Sequence, residues 1–338
     1  MRRRDLFGLS GVAGALGLLG GWVWPGAKRI GAKFSNASPL PVLGIDCASD
    51  SPAAGGGAGY SATFAPPGYL AAGSRDALHT PPPWRPRTAE VREFDLSVIE
   101  TTLEVADGQT VIASAYGGTV PGPLVRATVG DRLKVTVGNH TRFAHSVHFH
   151  GAHDVSQDGL GHIAKGETRS YELEAGPVGL HPYHCHVPPY ARHVGKGMYG
   201  AMIVDPLQPR PAAHEFVLSL FGFDTDGDGM NDIYTWNGMA GYYERFPLKV
   251  PAGDLVRIYI INMVEPDPIM SFHLHAQTFD VYRSGTSESP HEHTDIVSLG
   301  PAERAILEFR LPRRGRYMFH PHQSRMAERG AMGWIVAI

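Results

Sequence analysis

Five His-x-His pairs punctuate this 338-residue sequence: His148/His150, His184/His186, His273/His275, His291/His293 and His320/His322. Side chains alternate along a strand, so each pair presents two imidazoles on one face. With 18 histidines in the chain, roughly one such pair is expected by chance. Imidazoles gathered without a matching supply of carboxylates favour a borderline metal, copper or zinc among the common ones. The residues around Cys185 separate these two. His184-Cys185-His186 is followed by His193 and Met198, and His145 stands three residues before His148. One thiolate, two imidazoles and a weak thioether make the ligand set of a blue-copper electron-transfer site: Cys185, His145, His193 and Met198. Zinc would want a harder or more basic ligand than Met198.

The elements that must position these residues are short strands. Within Asp131–Asn139, Leu133, Val135 and Val137 share one face while Arg132, Lys134 and Thr136 take the other. Ala305, Leu307, Phe309 and Leu311 alternate in the same way with Ile306, Glu308 and Arg310. No long helical periodicity appears after the N-terminal segment, so the class is all-β. An internal repeat sets the organisation. Gly130-Asp131-Arg132-Leu133-Lys134-Val135-Thr136-Val137-Gly138-Asn139 matches Gly253-Asp254-Leu255-Val256-Arg257-Ile258-Tyr259-Ile260-Ile261-Asn262 in pattern. Each copy continues into a His-x-His pair, a strand, a glycine turn and a second pair. The copies run over residues 91–206 and 213–338, with Pro206, Pro209 and Pro211 at the seam. Two β-sandwiches are expected, each long enough to bury a core.

Composition narrows the function. A net charge of −3 with 19% charged residues gives no reason to expect nucleic acid or an anionic membrane as partner. The start, Met1-Arg2-Arg3-Arg4-Asp5-Leu6-Phe7, precedes an apolar run to Trp24, which reads as an export signal within residues 1–47. Arg3-Arg4-Asp5-Leu6-Phe7 is similar to a twin-arginine signal, and a periplasmic or secreted location follows; a retained membrane anchor is the alternative. Residues 48–90, rich in Ala, Gly, Ser and Pro, read as a linker or surface wrap. Only two cysteines occur, Cys47 and Cys185, so no disulfide framework is expected.

The sequence resembles the multicopper oxidases, in particular the two-domain members related to copper nitrite reductases. The resemblance rests on Pro121-Gly122-Pro123, Gly130-Asp131, four of the His-x-His motifs and the order His145, Cys185, His193, Met198, and it covers the chain from Val91 to the C-terminus. It implies two cupredoxin-like Greek-key sandwiches with a type 1 copper in the first. By the same resemblance His148 and His273 hold a type 2 copper, while His150, His184, His186, His275, His320 and His322 hold a type 3 pair. Four coppers per chain follow, in clusters shared between subunits of a homotrimer. In the second copy Met270, Pro321, Met326 and Ala331 stand where type 1 ligands would be, so no blue copper is expected there. Asp158 matches the acidic position the family uses as a proton relay, although an Asp-Gly turn is an equal reading of it. Glu328 is a weaker candidate for the same role.

The implied activity is that of a laccase-like oxidase, taking single electrons from a small reducing donor, phenol-like first, and passing them to O2. A copper nitrite reductase is the rival enzyme; that family has three histidines on its catalytic copper beside an aspartate and a histidine, and His148 occupies the aspartate's place here. A non-enzymatic copper or electron carrier is the rival of another class. Cuprous ion stays open as a donor, although no methionine-rich insert favours it. Asp224, Asp226 and Asp228 have the spacing of a calcium loop, with a polar turn as the competing reading. His291/His293 has no counterpart in the first copy and reads as surface.

Overall fold

A computed structural model of the chain describes residues 78–267 and 269–338. The arginine-rich start, the apolar run after it, Cys47 and the Ala/Gly/Pro-rich stretch up to residue 77 lie outside the described residues. No helix among the described residues is long and apolar enough to cross a membrane.

The alternation in the repeat becomes sheet. Arg132–Gly138 lies parallel to Arg92–Asp95 and antiparallel to Thr168–Glu174, with Leu133, Val135 and Val137 buried. These side chains share a core with a four-stranded sheet ordered Val125–Thr128, Tyr199–Asp205, Gly179–His184 and His148–Phe149. The second half repeats the plan with more strands. A six-stranded sheet around His214–Phe223, Leu255–Asn262 and Arg304–Arg310 shares its core with a five-stranded one containing Gly315–His320 and Met270–Leu274. Mixed pairing, with the first strand of each sheet parallel to a later one, marks both halves as Greek-key sandwiches.

The repeated Gly-Asp and Asn residues are scaffolding. Gly130 and Gly253 sit at φ +79° and +88°, a left-handed turn that glycine alone adopts without strain. The Asp131 carboxylate then accepts from the Thr128 and Thr88 amides, closing the turn. At the far end of the strand, Asn139 donates to the carbonyls of Phe143 and Ile163 and accepts from Thr141. Asn262 does likewise with Leu299 and Val264. Each asparagine thereby ties down the loop that leads to a His-x-His pair.

One strand departs from simple alternation. Ile306, on the face opposite Ala305 and Leu307, is buried as well. It belongs to a third apolar cluster with Tyr259, Ile261, Phe221, Tyr199 and Ile203, formed where the two halves meet. A face that pattern alone assigns to solvent is covered by the sister sandwich.

A buried charge network closes the same seam. Arg126 pairs with Asp205 at 2.7 Å and with Glu215 at 2.7 Å, and Glu215 also accepts from Arg257 and the Tyr259 hydroxyl. Arg257 in turn reaches Glu308 at 2.6 Å. Asp205 ends the last strand before the proline-rich seam and Glu215 lies at the start of the first strand after it, so the network bolts the halves together. Removing one partner from such a buried set strands the remaining charges. Glu215→Gln should therefore cost about 3 kcal/mol in unfolding free energy. Burial pushes the Glu215 carboxyl up, but Arg126, Tyr259 and Arg257 outweigh it and hold it below the usual range. A depressed folded-state pKa adds stability above the unfolded-state value, and that stability drains away as pH falls through the folded one. The urea midpoint of the wild type should thus drop on acidification through and below the carboxylate range, and less steeply in Glu215→Gln. Parallel pH curves for the two proteins would contradict this account.

Candidate metal centres

The first centre is assembled from a pinned loop and a short helix. His145 and Ile163 exchange backbone hydrogen bonds at 3.1 and 2.7 Å, which holds the loop against the sandwich. The Ser146 hydroxyl accepts from the His186 amide at 2.9 Å and lies 4.0 Å from the Cys185 sulfur. From the other side the Cys185 amide donates to the Met198 carbonyl at 3.1 Å. The helix Tyr190–Val194 returns His193 to the same point. His145 Nδ1 and His193 Nδ1 approach to 3.1 Å, with Cys185 Sγ 3.9 and 3.6 Å from them. Cys185 and Met198 are fully buried and His145 nearly so.

Burial, with His193 second, holds His145 down to about 4. His193 is lowered by burial and then by the positive charges of Arg192 and His162. Burial pushes the Cys185 thiol up. The pocket thus sets imidazoles that favour their neutral form around a thiol whose proton a bound metal cation would displace. A thiophilic metal fits that donor set.

The second set depends on strand register. His148 pairs directly with His184 across antiparallel strands, and His273 pairs with His320 in the same way. Backbone carbonyls then fix the rings. His184 Nδ1 donates to the Cys185 carbonyl at 3.0 Å, and His320 Nδ1 to the Pro321 carbonyl at 2.8 Å. His273 Nδ1 donates to the Asp295 carbonyl at 2.8 Å. A ring whose proton is spent at Nδ1 has only a lone pair at Nε2. Yet His150 Nε2 faces His184 Nε2 at 3.0 Å, and His275 Nε2 faces His320 Nε2 at 2.9 Å. Converging imidazole nitrogens with their outer protons anchored are the arrangement of a ligand set, and copper fits it. Burial, followed by His184, His148 and Arg304, takes His150 down to about 3; His184, His275 and His320 are lowered too, burial first in each.

His186 and His322 complete the halves, with ring centroids 5.4 Å from His148 and 5.4 Å from His273 respectively. Among the described residues, ring contacts join His148, His150, His184 and His186 on one side and His273, His275, His320 and His322 on the other. None of these ring contacts crosses between the halves. One chain therefore carries two separate half-sets, and the second is partly open to solvent at His275 and His322.

Asp158 reconciles its two readings. It does lie in a turn, and at Gly159 (φ +73°) any side chain would collide with the Val147 carbonyl. That close approach is what sets the Asp158 carboxylate on His148 Nδ1 at 2.6 Å, with His153 Nε2 3.4 Å away. Glu328, by contrast, is an exposed charge at the end of the helix Ser324–Glu328.

The residues aligned with the first centre are apolar filling in the second half. Met270, Pro321, Met326 and Ala331 are all buried. The backbone is nevertheless retained: Ala331 donates to the Met326 carbonyl as Met198 does to His193. Ser271 accepts from the His322 amide at 2.9 Å, as Ser146 does from His186. The two serines share a positional signal, each standing two residues before the first histidine of a pair. His153 and Tyr190, whose ring lies 4.5 Å from His186, carried no such signal.

Two other candidates resolve differently. In the acidic loop the grouped carboxylates are Asp224, Asp226 and Asp232, not Asp228. Asp224 accepts from the Gly227 and Gly229 amides, Asp226 from Asp228, Asp228 from Met230 and Asp232 from Thr225. Their oxygens serve a polar turn, and calcium gains no support. His293 is exposed and bonds to Asp280, and His291 accepts from the Arg283 amide on the same hairpin, so this pair is surface.

Two multicopper oxidase families match, over residues 97–209 and 212–337. A copper-containing nitrite reductase of Neisseria meningitidis is 30% identical over 271 residues, covering 73% of this chain and 69% of that protein. Among solved structures, a multicopper oxidase superposes with a TM-score of 0.75 at 39% identity, over 78% of this chain and 96% of the other. The copper nitrite reductase from Nitrosomonas europaea gives 0.69 at 30% identity, over 74% and 94%. On these matches and on its paired histidine sets, this chain belongs to the multicopper oxidase family.

Proposed function

We propose that this protein is a laccase-like oxidase with four coppers per chain, exported to the periplasm or beyond, that takes single electrons from a phenol-like donor and reduces O2 to water. The observation that carries the reading is the pairing of one cysteine–histidine centre with eight histidines set in two half-sets. Copper, when bound, supplies one-electron chemistry at the first centre and a multi-electron store at the second. Cys185, His145, His193 and Met198 would hold the first. His148 and His273 would hold one ion of the second, and the other six histidines the remaining two.

The chain itself supplies the wiring. Cys185 is bonded through the backbone to both His184 and His186, and its carbonyl also receives the His184 ring proton. The route from thiolate to imidazole is therefore a few covalent bonds with a hydrogen-bonded shortcut. Asp158 holds the His148 ring in orientation. It is 23% exposed, so the carboxylate can also exchange protons with solvent beside the cluster.

Nitrite reduction is the second reading, because curated relatives matched over most of their length bear that name. Against it, the position that belongs to an aspartate in that family is an imidazole, His148, packed among His150, His184 and His186. The separate half-sets support a homotrimer as the assembly: head-to-tail contacts that close a ring would bring the first half of one chain to the second half of the next.

Four outcomes are expected. Metal analysis should give four coppers per chain, where a reductase would give two and a carrier one; Cys185→Ser should abolish the intense visible band and oxygen uptake together. A Cys185→Ser protein that stays blue would sink the assignment. Asp158→Asn should keep its copper and its colour while turnover falls by at least about tenfold with an altered pH profile; normal turnover would return Asp158 to a purely structural part. Finally, His148→Ala and His320→Ala homotrimers should each be inactive, whereas mixed trimers should regain activity at interfaces that pair two intact halves. Verified mixed trimers without recovery, or a fully active monomer, would place the whole cluster in one chain.

A further inference from the structure

A cavity of about 480 Å³ opens directly over His145, His193 and Met198. Its size suits a single-ring organic molecule. Two kinds of surface line it. One is apolar and unusually open: Phe143 is 46% exposed and Ile112 58% exposed. The other is cationic, supplied by Arg142, Arg192 and Lys196.

These three cations are not equivalent. Arg142 is met by Glu100, with both nitrogen–oxygen distances at 3.3 Å. No carboxylate pairs with Arg192 or Lys196 among the described residues. Both come from the helix that carries His193 and the turn after it, and the Arg192 guanidinium lies 5.6 Å from the Phe143 ring centroid. An arginine held against an aromatic face keeps its outer N–H groups free for a planar anion. The site thus offers an aromatic platform with an anion-binding edge, on a chain whose net charge is −3.

We propose that the donor this cavity selects is a phenol that also carries a carboxylate, its ring against Phe143 and Ile112 and its carboxylate on Arg192 and Lys196, with the phenolic hydroxyl as the group that gives up one electron and its proton. The proposal rests on the reading that electrons enter at the Cys185 centre, and it deepens that reading by naming the class of donor. A neutral phenol engages only the apolar part. A cationic donor, cuprous ion included, meets the charge of Arg192 and Lys196 with only one carboxylate, already engaged by Arg142, to offset it.

The test reads binding rather than turnover. Copper-loaded full-length protein is titrated calorimetrically with 4-methoxycinnamate, which has no oxidisable hydroxyl, and with its neutral amide. The acid should bind once per chain and about tenfold more tightly than the amide, a margin that shrinks with added salt. Arg192→Gln combined with Lys196→Gln should weaken the acid about tenfold and leave the amide within about twofold; a preserved visible band shows that the variant is folded and loaded. Absence of saturable binding by the acid, equal affinity for acid and amide in the wild type, or equal weakening of both ligands in the variant would overturn the proposal. Oxygen uptake and copper content are not part of this readout. Failure of the oxidase reading would therefore appear there, and failure of the donor class would appear here.

Discussion

A histidine ring that gives its Nδ1 proton to a backbone carbonyl can present only a lone pair at Nε2. Most of what is distinctive in this molecule depends on that constraint. At His184 and His320 the accepting carbonyl belongs to the next residue, so ring orientation is fixed by the strand itself. Strand register then matters absolutely. A slip of one residue would turn every imidazole to the opposite face. The tied asparagines, the Gly-Asp turns and the apolar cores all serve to make that register unambiguous.

The two halves show how one scaffold separates function from fold. Ser146 and Ser271 accept the same hydrogen bond, from the amides of His186 and His322, the last histidine of the later pair in each half. In the first half the serine neighbours a thiol. In the second its hydroxyl donates to Gln323 at 2.9 Å, and the space of the missing ligands is filled by methionine, proline and alanine. Pro321 also removes the amide that Cys185 uses to reach Met198. Volume and backbone are retained while the thiol and imidazole side chains are replaced by apolar ones.

Much of this was legible in the sequence because period-two alternation and pairs of spaced histidines are local signals. The all-β class, the cysteine-centred group and the two histidine half-sets could be read from spacing and repetition. What could not be read arises from contacts distant in sequence. Alternation places Ile306 opposite Ala305 and Leu307, and nothing local records the sister sandwich that covers that face. Asp158 could not be divided between turn and site, since the turn is the device that delivers the carboxylate to His148. The acidic loop has the spacing of a calcium site, but its oxygens are taken up by its own amides. Arg192, Lys196 and Phe143 drew no notice because the cavity they line brings together separate loops.

The separation of the half-sets has a further consequence, for metal selectivity. In the second half His273, His275 and His320 bring three nitrogens within 4.8 Å of one another, and His275 is exposed. A single folded chain therefore leaves that histidine set open to solvent at His275 and His322. A solvent-exposed set of nitrogens constrains an ion's radius and coordination number less than an enclosed one. Its choice among zinc, nickel and copper falls back on intrinsic affinity, where copper stands highest, and on which ion is most abundant where the chain folds. Correct loading thus becomes a matter of timing and metal supply as much as of protein structure.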